Sequence, residues 1–349
     1  MFDHLENIIE ETLIMDFSAS AYASFHASAD DTKDMTSSDK IKYWKYLFLN
    51  NIRKLKVKFK PAELIIAMDA NSWRKKEFIY YKAKREDDKK ASDINYKDFY
   101  QAMTEFKEEL QQYFPFITIH VRDAEGDDVV AILVHELHNK RKKITIASGD
   151  KDFKQLLKYK NVQLWSPRFE KFLTVVDAQE DLLRLILGGD SSDGVPSIVN
   201  ADDSFIDETR VYTSAFKGWM KKNHKIKESE FESIDMDSYE TDYYRDTRKE
   251  PKAKRRQKPF GPKKIDQVLI YGLDQFLDED VKNENLRRNF ERNKKLITLD
   301  QNNIPEYVWS NVMKAYNDYQ KVPGDFMKVQ GYFAKGKMRS LLNSVSDFL

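Results

Sequence analysis

The chain has 349 residues, 41% of them hydrophobic and 34% charged, which is enough to fill a sizeable core in one large domain or two. Its 59 Lys and Arg against 58 Asp and Glu leave a net charge of +1, so binding to a polyanion would need segregated charge rather than total charge. The absence of cysteine excludes a disulfide framework, a thiolate zinc site and a cysteine nucleophile, and the six histidines show no metal-ligand spacing. The opening M-F-D-H-L-E-N-I-I-E-E lacks the basic flank of a signal peptide, and no apolar run has bilayer length. A soluble, cytoplasmic protein is expected.

Thr12 to Met15 reads as a short apolar strand ending in Asp16, followed by the small residues Ser18, Ala19 and Ser20. Lys40 to Lys58 places Tyr43, Leu47, Ile52 and Leu55 at helical spacing. Leu64 to Met68 is a second buried strand, and it also ends in an aspartate, Asp69. From Trp73 to Arg85 basic and aromatic residues interleave, a pattern suited to phosphates and bases, or to a solvated helix face whose tyrosines dock on the core. Glu86 to Ser92 is highly charged, Tyr96 to Phe114 predicts a helix with Phe99, Met103, Phe106 and Leu110 on one face, and Phe116 to Val121 a strand.

Arg122 to Leu157 is the densest stretch. Two acidic knots, Glu125-Gly126-Asp127-Asp128 and Asp150-Lys151-Asp152, flank an apolar helix (Val129 to Leu137) and a β-branched strand (Ile144 to Ala147). Short strands are expected at 162–165 and 172–176, then a helix at 182–187 running into Gly188-Gly189-Asp190-Ser191-Ser192-Asp193-Gly194-Val195-Pro196. From 200 to 259 apolar periodicity is weak; an acidic half (228–242) precedes a basic half (245–258), which predicts a flexible segment. Helices at 263–271, 283–294, 305–319 and 326–345 complete the chain.

The order strand–helix–strand predicts an α/β fold with a doubly wound, mainly parallel sheet and a helical C-terminal region. One strand-terminal Asp is usually a cap or turn residue. Three of them, Asp16, Asp69 and Asp150, would converge on one rim of a parallel sheet, where such folds bind ligands. Carboxylates gathered there are costly unless a cation neutralises them. Asp16, Asp69, Glu125, Asp127, Asp150, Asp152, Asp190 and Asp193 are the candidate ligands; an oxygen-only set suits Mg²⁺ or Mn²⁺. So large a set suits two ions, which in phosphodiester enzymes sit roughly 3.5–4 Å apart. A calcium site is the chemical competitor, but there is no EF-hand loop; a glycosidase needs only two carboxylates and leaves the rest unexplained.

Taken together, W-R-x-x-x-F-x-x-Y-K-A-x-R (Trp73 to Arg85), A-E-G-D-D, S-G-D-K-D-F and G-D-S-S-D-G-V-P-S-I resemble the flap endonuclease or 5′-3′ exonuclease superfamily, and within it the ribonuclease H group of T-even-type bacteriophages. The resemblance covers nearly the whole chain. It implies a two-metal 5′-to-3′ exonuclease and flap endonuclease that removes RNA primers during lagging-strand replication, using two Mg²⁺ ions, for which Mn²⁺ can substitute. It places Asp16, Asp69, Asp127 and Asp150 at a first metal, with Glu125 beside it, and Asp152, Asp190 and Asp193 at a second. Arg74 and Lys82 would engage the scissile phosphate, Tyr81 would stack on the terminal base, and Arg85, Lys263 and Lys264 would contact nucleic acid. Residues 82–112 would form a helical arch around the 5′ single strand. The implied partners are DNA and RNA–DNA duplexes with 5′ flaps, nicks or forks, a single-strand DNA-binding protein and a sliding clamp, with the enzyme a monomer in the cytoplasm (of the host cell if phage-encoded).

The chain departs from the family pattern at the duplex-binding element. Gly194 to Ile198 supplies the first half, and Phe260 to Ile265 looks like the second half, displaced by about sixty residues. The expected organisation is therefore a catalytic core at 1–198, a charged insertion at 199–259 and a helical duplex-binding region at 260–349. The displacement puts the family's potassium site in doubt, and the acidic half of the insertion is expected to cover the basic half until DNA displaces it. Two other readings stand beside this one: a PIN-like single-strand ribonuclease, and a non-catalytic junction-binding replication protein.

Overall fold

The computed structural model describes residues 9–28, 32, 34–83, 85, 96–206, 209–254, 258, 260–279 and 285–349. Six strands form one sheet: β1 (Ile9–Asp16), β2 (Glu63–Met68), β3 (Ile117–His120), β4 (Arg141–Ala147), β5 (Val162–Ser166) and β6 (Lys171–Leu173). Their order is β3-β2-β1-β4-β5-β6, parallel throughout except for the antiparallel edge strand β6. β1 and β2 alternate strictly between the two layers. Leu13, Met15, Leu64, Ile66 and Met68 face one core, while Ile14, Ile65 and Ala67 face the other.

The first layer holds the helices Phe17–Ser28, Ser37–Phe59 and Tyr96–Tyr113, joined by residues of the C-terminal segment such as Phe333 and Phe348. The second holds Gly126–Leu137, the 3₁₀ segment Lys151–Lys158 and the helix Glu306–Asn317. The strand order reverses between β1 and β4, the position at which sheets of this kind bind ligands beyond the carboxyl ends of the strands. Asp16 closes β1, Asp69 follows the last residue of β2, and Asp150 lies three residues past the end of β4. Sheet topology thus brings the three strand-terminal aspartates to one rim.

Two expectations change at the edges. The strand expected at 172–176 ends at Leu173, because Asp177 already caps the helix Ala178–Gly188 by accepting from the amides of Gln179 and Glu180. The last helix, expected to be continuous over 326–345, breaks into Phe326–Lys335, Arg339–Leu342 and a 3₁₀ turn at Val345–Phe348. Lys337 adopts a left-handed φ of 57° at the first break.

The segment expected to be flexible is instead folded over 209–254. A two-stranded ribbon (Arg210–Tyr212 with Lys252–Lys254) and the helices Ser214–His224 and Glu240–Thr247 enclose a small core of Phe216, Met220, Phe231, Met236 and Tyr243. Its elements are too short for periodicity to register, so the sequence reads as irregular. Lys252 of the basic half pairs with Asp237 and Glu240 of the acidic half. At the base, the Asn200 side chain donates to the Lys258 carbonyl (3.1 Å) and accepts from the Lys258 amide (2.7 Å), so the two ends of this segment meet. Among the described residues no helix is long and apolar enough to cross a membrane.

Candidate metal centre

Asp16 is 8% exposed; its Oδ1 accepts from the Ala19 amide and its Oδ2 from Ser148 Oγ. Asp69 Oδ1 accepts from the Gly126 amide at 2.9 Å, so the first turn of the helix Gly126–Leu137 points a free N–H at the end of β2. Lys107 Nζ fixes the same residue from the other layer by donating to its carbonyl at 2.7 Å. Asp150 caps the 3₁₀ segment by accepting from the Asp152 amide.

The acids of the first knot divide sharply. Glu125, Asp127 and Asp128 have carboxylate oxygens within 4.8 Å of one another, but most of that charge is already matched. Arg74, 1% exposed, donates to both oxygens of Asp128 (2.8 and 3.1 Å) and to Glu125 Oε2 (3.0 Å), while Trp73 Nε1 donates to Asp128. Ser72 and Tyr81 hydroxyls also donate to Glu125 Oε2, and Lys82 Nζ holds Oε1 at 2.5 Å. Burial alone would raise the Glu125 carboxyl, yet Lys82 and Arg74 bring it down to about 2. Asp127 is the exception: burial and the neighbouring carboxylates push it well up despite Arg74, whose nearest contact to it is 3.7 Å.

The second pair sits on a turn between the helix Ala178–Gly188 and residue 198. Gly189 (φ 73°) and Gly194 (φ 70°) are both left-handed, and a Cβ at Gly189 would lie 2.4 Å from the Val195 carbonyl oxygen. A backbone bridge joins Asp190 to Val195 across this turn. Asp190 accepts from Ser192 and faces Lys151 at 3.2 Å; Asp193 accepts from Tyr81 and Arg85 and pairs with Lys82 at 3.4 Å. The Lys82 amide donates to the Asp193 carbonyl, and Lys82 itself holds a left-handed φ of 56°. Such backbone strain in a non-glycine residue needs the surrounding contacts to sustain it.

The remaining carboxylates repel one another. Burial first, then Asp69 and Asp150, push Asp16 up to about 7; burial, then Asp150 and Asp190, push Asp152 up to about 7, and Asp150 is raised for the same reasons. Asp69 Oδ2 and Asp152 Oδ1 are buried with no hydrogen-bond donor. Buried carboxylate oxygens that lack donors and hold protons too tightly fit a hard divalent cation, and no sulfur or imidazole belongs to the set. Charge repulsion couples Asp16 with Asp69 and Asp150, and Asp150 and Asp152 with Asp190 and Asp193, whereas Asp127 couples to Asp128 and Glu125.

Two expected roles do not fit the structure. Arg74 was expected on the scissile phosphate, but its guanidinium is buried and saturated by Glu125, Asp128 and the Leu296 carbonyl (2.7 Å). Tyr81 was expected to stack on a base, but it is 2% exposed and its hydroxyl bridges Glu125 and Asp193. Lys82 and Arg85 line the open side, and Lys263 and Lys264 lie in the exposed first turn of the helix Pro262–Tyr271. Of the expected arch at 82–112, residues 86–95 lie outside the described residues, and the helix Tyr96–Tyr113 packs Phe99, Phe106 and Leu110 into the core. Sequence reasoning missed Asp128, Gln155, Asn289 and Asn293. Asp128 stands in the E-G-D-D knot, but nothing in the pattern separates a structural acid from a metal ligand.

A family model described as 5′-3′ exonuclease, N-terminal resolvase-like domain, matches residues 11–183, and one described as T4 RNase H, C terminal, matches residues 272–348. The chain is 26% identical to the ribonuclease H of Enterobacteria phage T4 over 351 aligned residues, covering 98% of this chain and 97% of that protein. Its fold matches a mutant T5 5′-exonuclease with a TM-score of 0.52 at 13% identity, covering 88% of this chain and 98% of that one. A T5 flap endonuclease crystallised as a complex with DNA and metal ions matches with a TM-score of 0.50 at 15% identity, over 88% and 100% of the two chains.

Proposed function

Because this chain belongs to the 5′-3′ exonuclease family and is a 5′ nuclease, we propose that it is a Mg²⁺-dependent 5′-to-3′ exonuclease and flap endonuclease acting on 5′ ends, flaps and RNA primers at lagging-strand junctions. The observation that carries the metal dependence is the row of strand-end carboxylates with Asp69 Oδ2 and Asp152 Oδ1 buried and lacking donors.

In this reading Asp16, Asp69, Asp127 and Asp150 hold one divalent ion, and Asp152, Asp190 and Asp193 a second, with Mn²⁺ able to replace Mg²⁺. Divalent ions held there would supply a water of lowered pKa and stabilise charge on the leaving oxygen. Lys82 and Arg85 now rest on Glu125 and Asp193. A phosphodiester entering above those acids meets two cations already aimed at the rim, which reward the negative charge that develops on the phosphorus oxygens. Arg74, Tyr81 and Ser72 keep Glu125 and Asp128 in place behind the site. The turn at 194–198 and the first turn of the helix Pro262–Tyr271, with Lys263 and Lys264, grip the duplex backbone through amides and ammonium groups.

The test is a nicked duplex carrying a 5′ flap, labelled at each end in turn, incubated with and without Mg²⁺. A released flap or short 5′ products, abolished by chelator and by Asp127→Asn, is the expected result. Intact DNA bound tightly in a salt-sensitive manner would instead identify a junction-binding module.

A further inference from the structure

The acidic segments come from the first two hundred residues, yet one helix near residue 290 bonds to the loop carrying Asp190 and Asp193, to Gln155 three residues past Asp152, and to Arg74, which holds Glu125 and Asp128. That helix, Asn285–Ile297, already packs Leu286, Phe290, Leu296 and Ile297 into an apolar cluster. Packing therefore does not require the polar stripe it also buries, Asn289 and Asn293, 3% and 0% exposed. Buried amides are costly unless they are fully bonded, and when bonded they fix geometry closely.

The bonds of that stripe go to the loop that carries Asp190 and Asp193. Asn293 Nδ2 donates to the carbonyls of Ile186 and Pro196, both at 2.8 Å, which lie on either side of the turn carrying Asp190 and Asp193. Asn289 Nδ2 donates one step further along, to Ile198 (2.8 Å) and Asn200 (3.0 Å). The helix C-terminus leaves carbonyls with no partner inside the helix. Here the Leu296 carbonyl accepts from Arg74 Nε, and the Ile297 carbonyl accepts from Gln155 Nε2 (3.2 Å). Gln155 Nε2 also donates to the Asp152 carbonyl (2.9 Å), while its Oε1 accepts from the Leu299 amide (2.8 Å).

Resting on the metal-dependent reading above, we infer that the helix Asn285–Ile297 is a brace that sets the spacing of the two acidic groups, with Asn293 and Gln155 as positioning residues for the second ion. Asn293 holds the Asp190–Asp193 turn from one side and Gln155 holds Asp152 from the other. Neither reaches the rim. Asn289 holds only the distal half of the same loop, which belongs to duplex binding.

The test uses the full-length protein. Mn²⁺ binding without DNA is measured by electron paramagnetic resonance, and flap cleavage is followed against Mg²⁺ and DNA concentration. Groups that orient metal ligands typically contribute about 10–100-fold to affinity or rate. Asn293→Leu is expected to weaken one of two Mn²⁺ equivalents about tenfold, to raise half-saturating Mg²⁺ similarly, and to lower kcat with little change in KM for DNA. Asn289→Leu is expected to do the reverse, raising KM while leaving Mn²⁺ binding intact. A folded Asn293→Leu with two normal Mn²⁺ equivalents and normal kcat would overturn the brace. Should that variant lose its circular dichroism signal, Gln155→Leu reads the same spacing from the opposite side: a weakened Mn²⁺ equivalent supports the brace, and normal binding overturns it. Wild-type protein that binds Mn²⁺ but leaves flaps intact would sink the nuclease reading, while the variants' Mn²⁺ affinities would still decide on the brace.

Discussion

Arg74→Met separates two accounts of the one arginine that the motif and the structure assign differently. In the structure the side chain is 1% exposed and serves Asp128, 0% exposed, and Glu125, 5% exposed. Removing the guanidinium leaves the buried Asp128 carboxyl, which burial and Glu125 already push up, with only the Trp73 indole and the Glu125 amide as donors. Breaking a buried pair in this way costs about 3–5 kcal/mol. At an m-value near the upper end of the range for urea, about 3 kcal/mol/M, the unfolding midpoint should fall by about 1–1.7 M. The assay is equilibrium urea unfolding followed by tryptophan fluorescence, with chelator present so that metal binding does not contribute. Arg74→Met combined with Asp128→Leu should recover most of the loss, because an apolar pair of similar shape carries no uncompensated charge. An unchanged midpoint together with weakened binding to flap DNA would refute this reasoning and return Arg74 to the phosphate.

Chelated protein should melt at a higher temperature at pH 5 than at pH 7.5. Asp16 and Asp152 are raised from 3.8 to about 7, so their contribution is complete below pH 3.8 and is lost as pH rises through about 7. Saturating Mg²⁺ should remove most of that difference, and a flat chelated profile would show that the carboxylates are not crowded. Gly189→Ala should abolish flap cleavage while the far-ultraviolet circular dichroism stays near wild type, since the new Cβ meets backbone at 2.4 Å only within the turn. Replacing residues 201–256 with a short linker should tighten duplex binding by roughly threefold and steepen its salt dependence by about one phosphate contact. The deletion frees Arg288 and Arg292 from Asp202; weaker binding, measured by fluorescence anisotropy, would count against an inhibitory role for the insertion.

The rim was legible because its signals are local. An apolar run followed by aspartate occurs at Asp16 and Asp69, and sheet order then needs only the right-handed crossover rule to bring both to one edge. Gly189 and Gly194 likewise announce a turn that only glycine tolerates. What stayed hidden depends on partners far away in sequence. Arg74 and Lys82 both read as exposed cations, yet one is buried because Asp128 and Leu296, 54 and 222 residues away, close around it. Tyr81 looked like a stacking ring for the same reason. Asn289 and Asn293 carry no pattern at all, because a polar stripe on a helix normally means solvent. The insertion misled through its charge: Lys252 beside Asp237 and Glu240 reads as solvated disorder until Phe216 and Tyr243 are seen to pack beneath.

The bond from Arg74 to the Leu296 carbonyl spans 222 residues, which gives the protein a clock during its own synthesis. At about 5–20 residues per second, roughly 10–45 s separate the emergence of the two partners from the ribosome. Through that interval the acids of the rim are present, but the helix Asn285–Ile297, which bonds to Arg74, Gln155 and the Asp190–Asp193 loop, has not been made. Until that helix emerges, Arg74 lacks the carbonyl that holds its Nε, and Ile186 and Pro196 lack the Asn293 amide that bridges them.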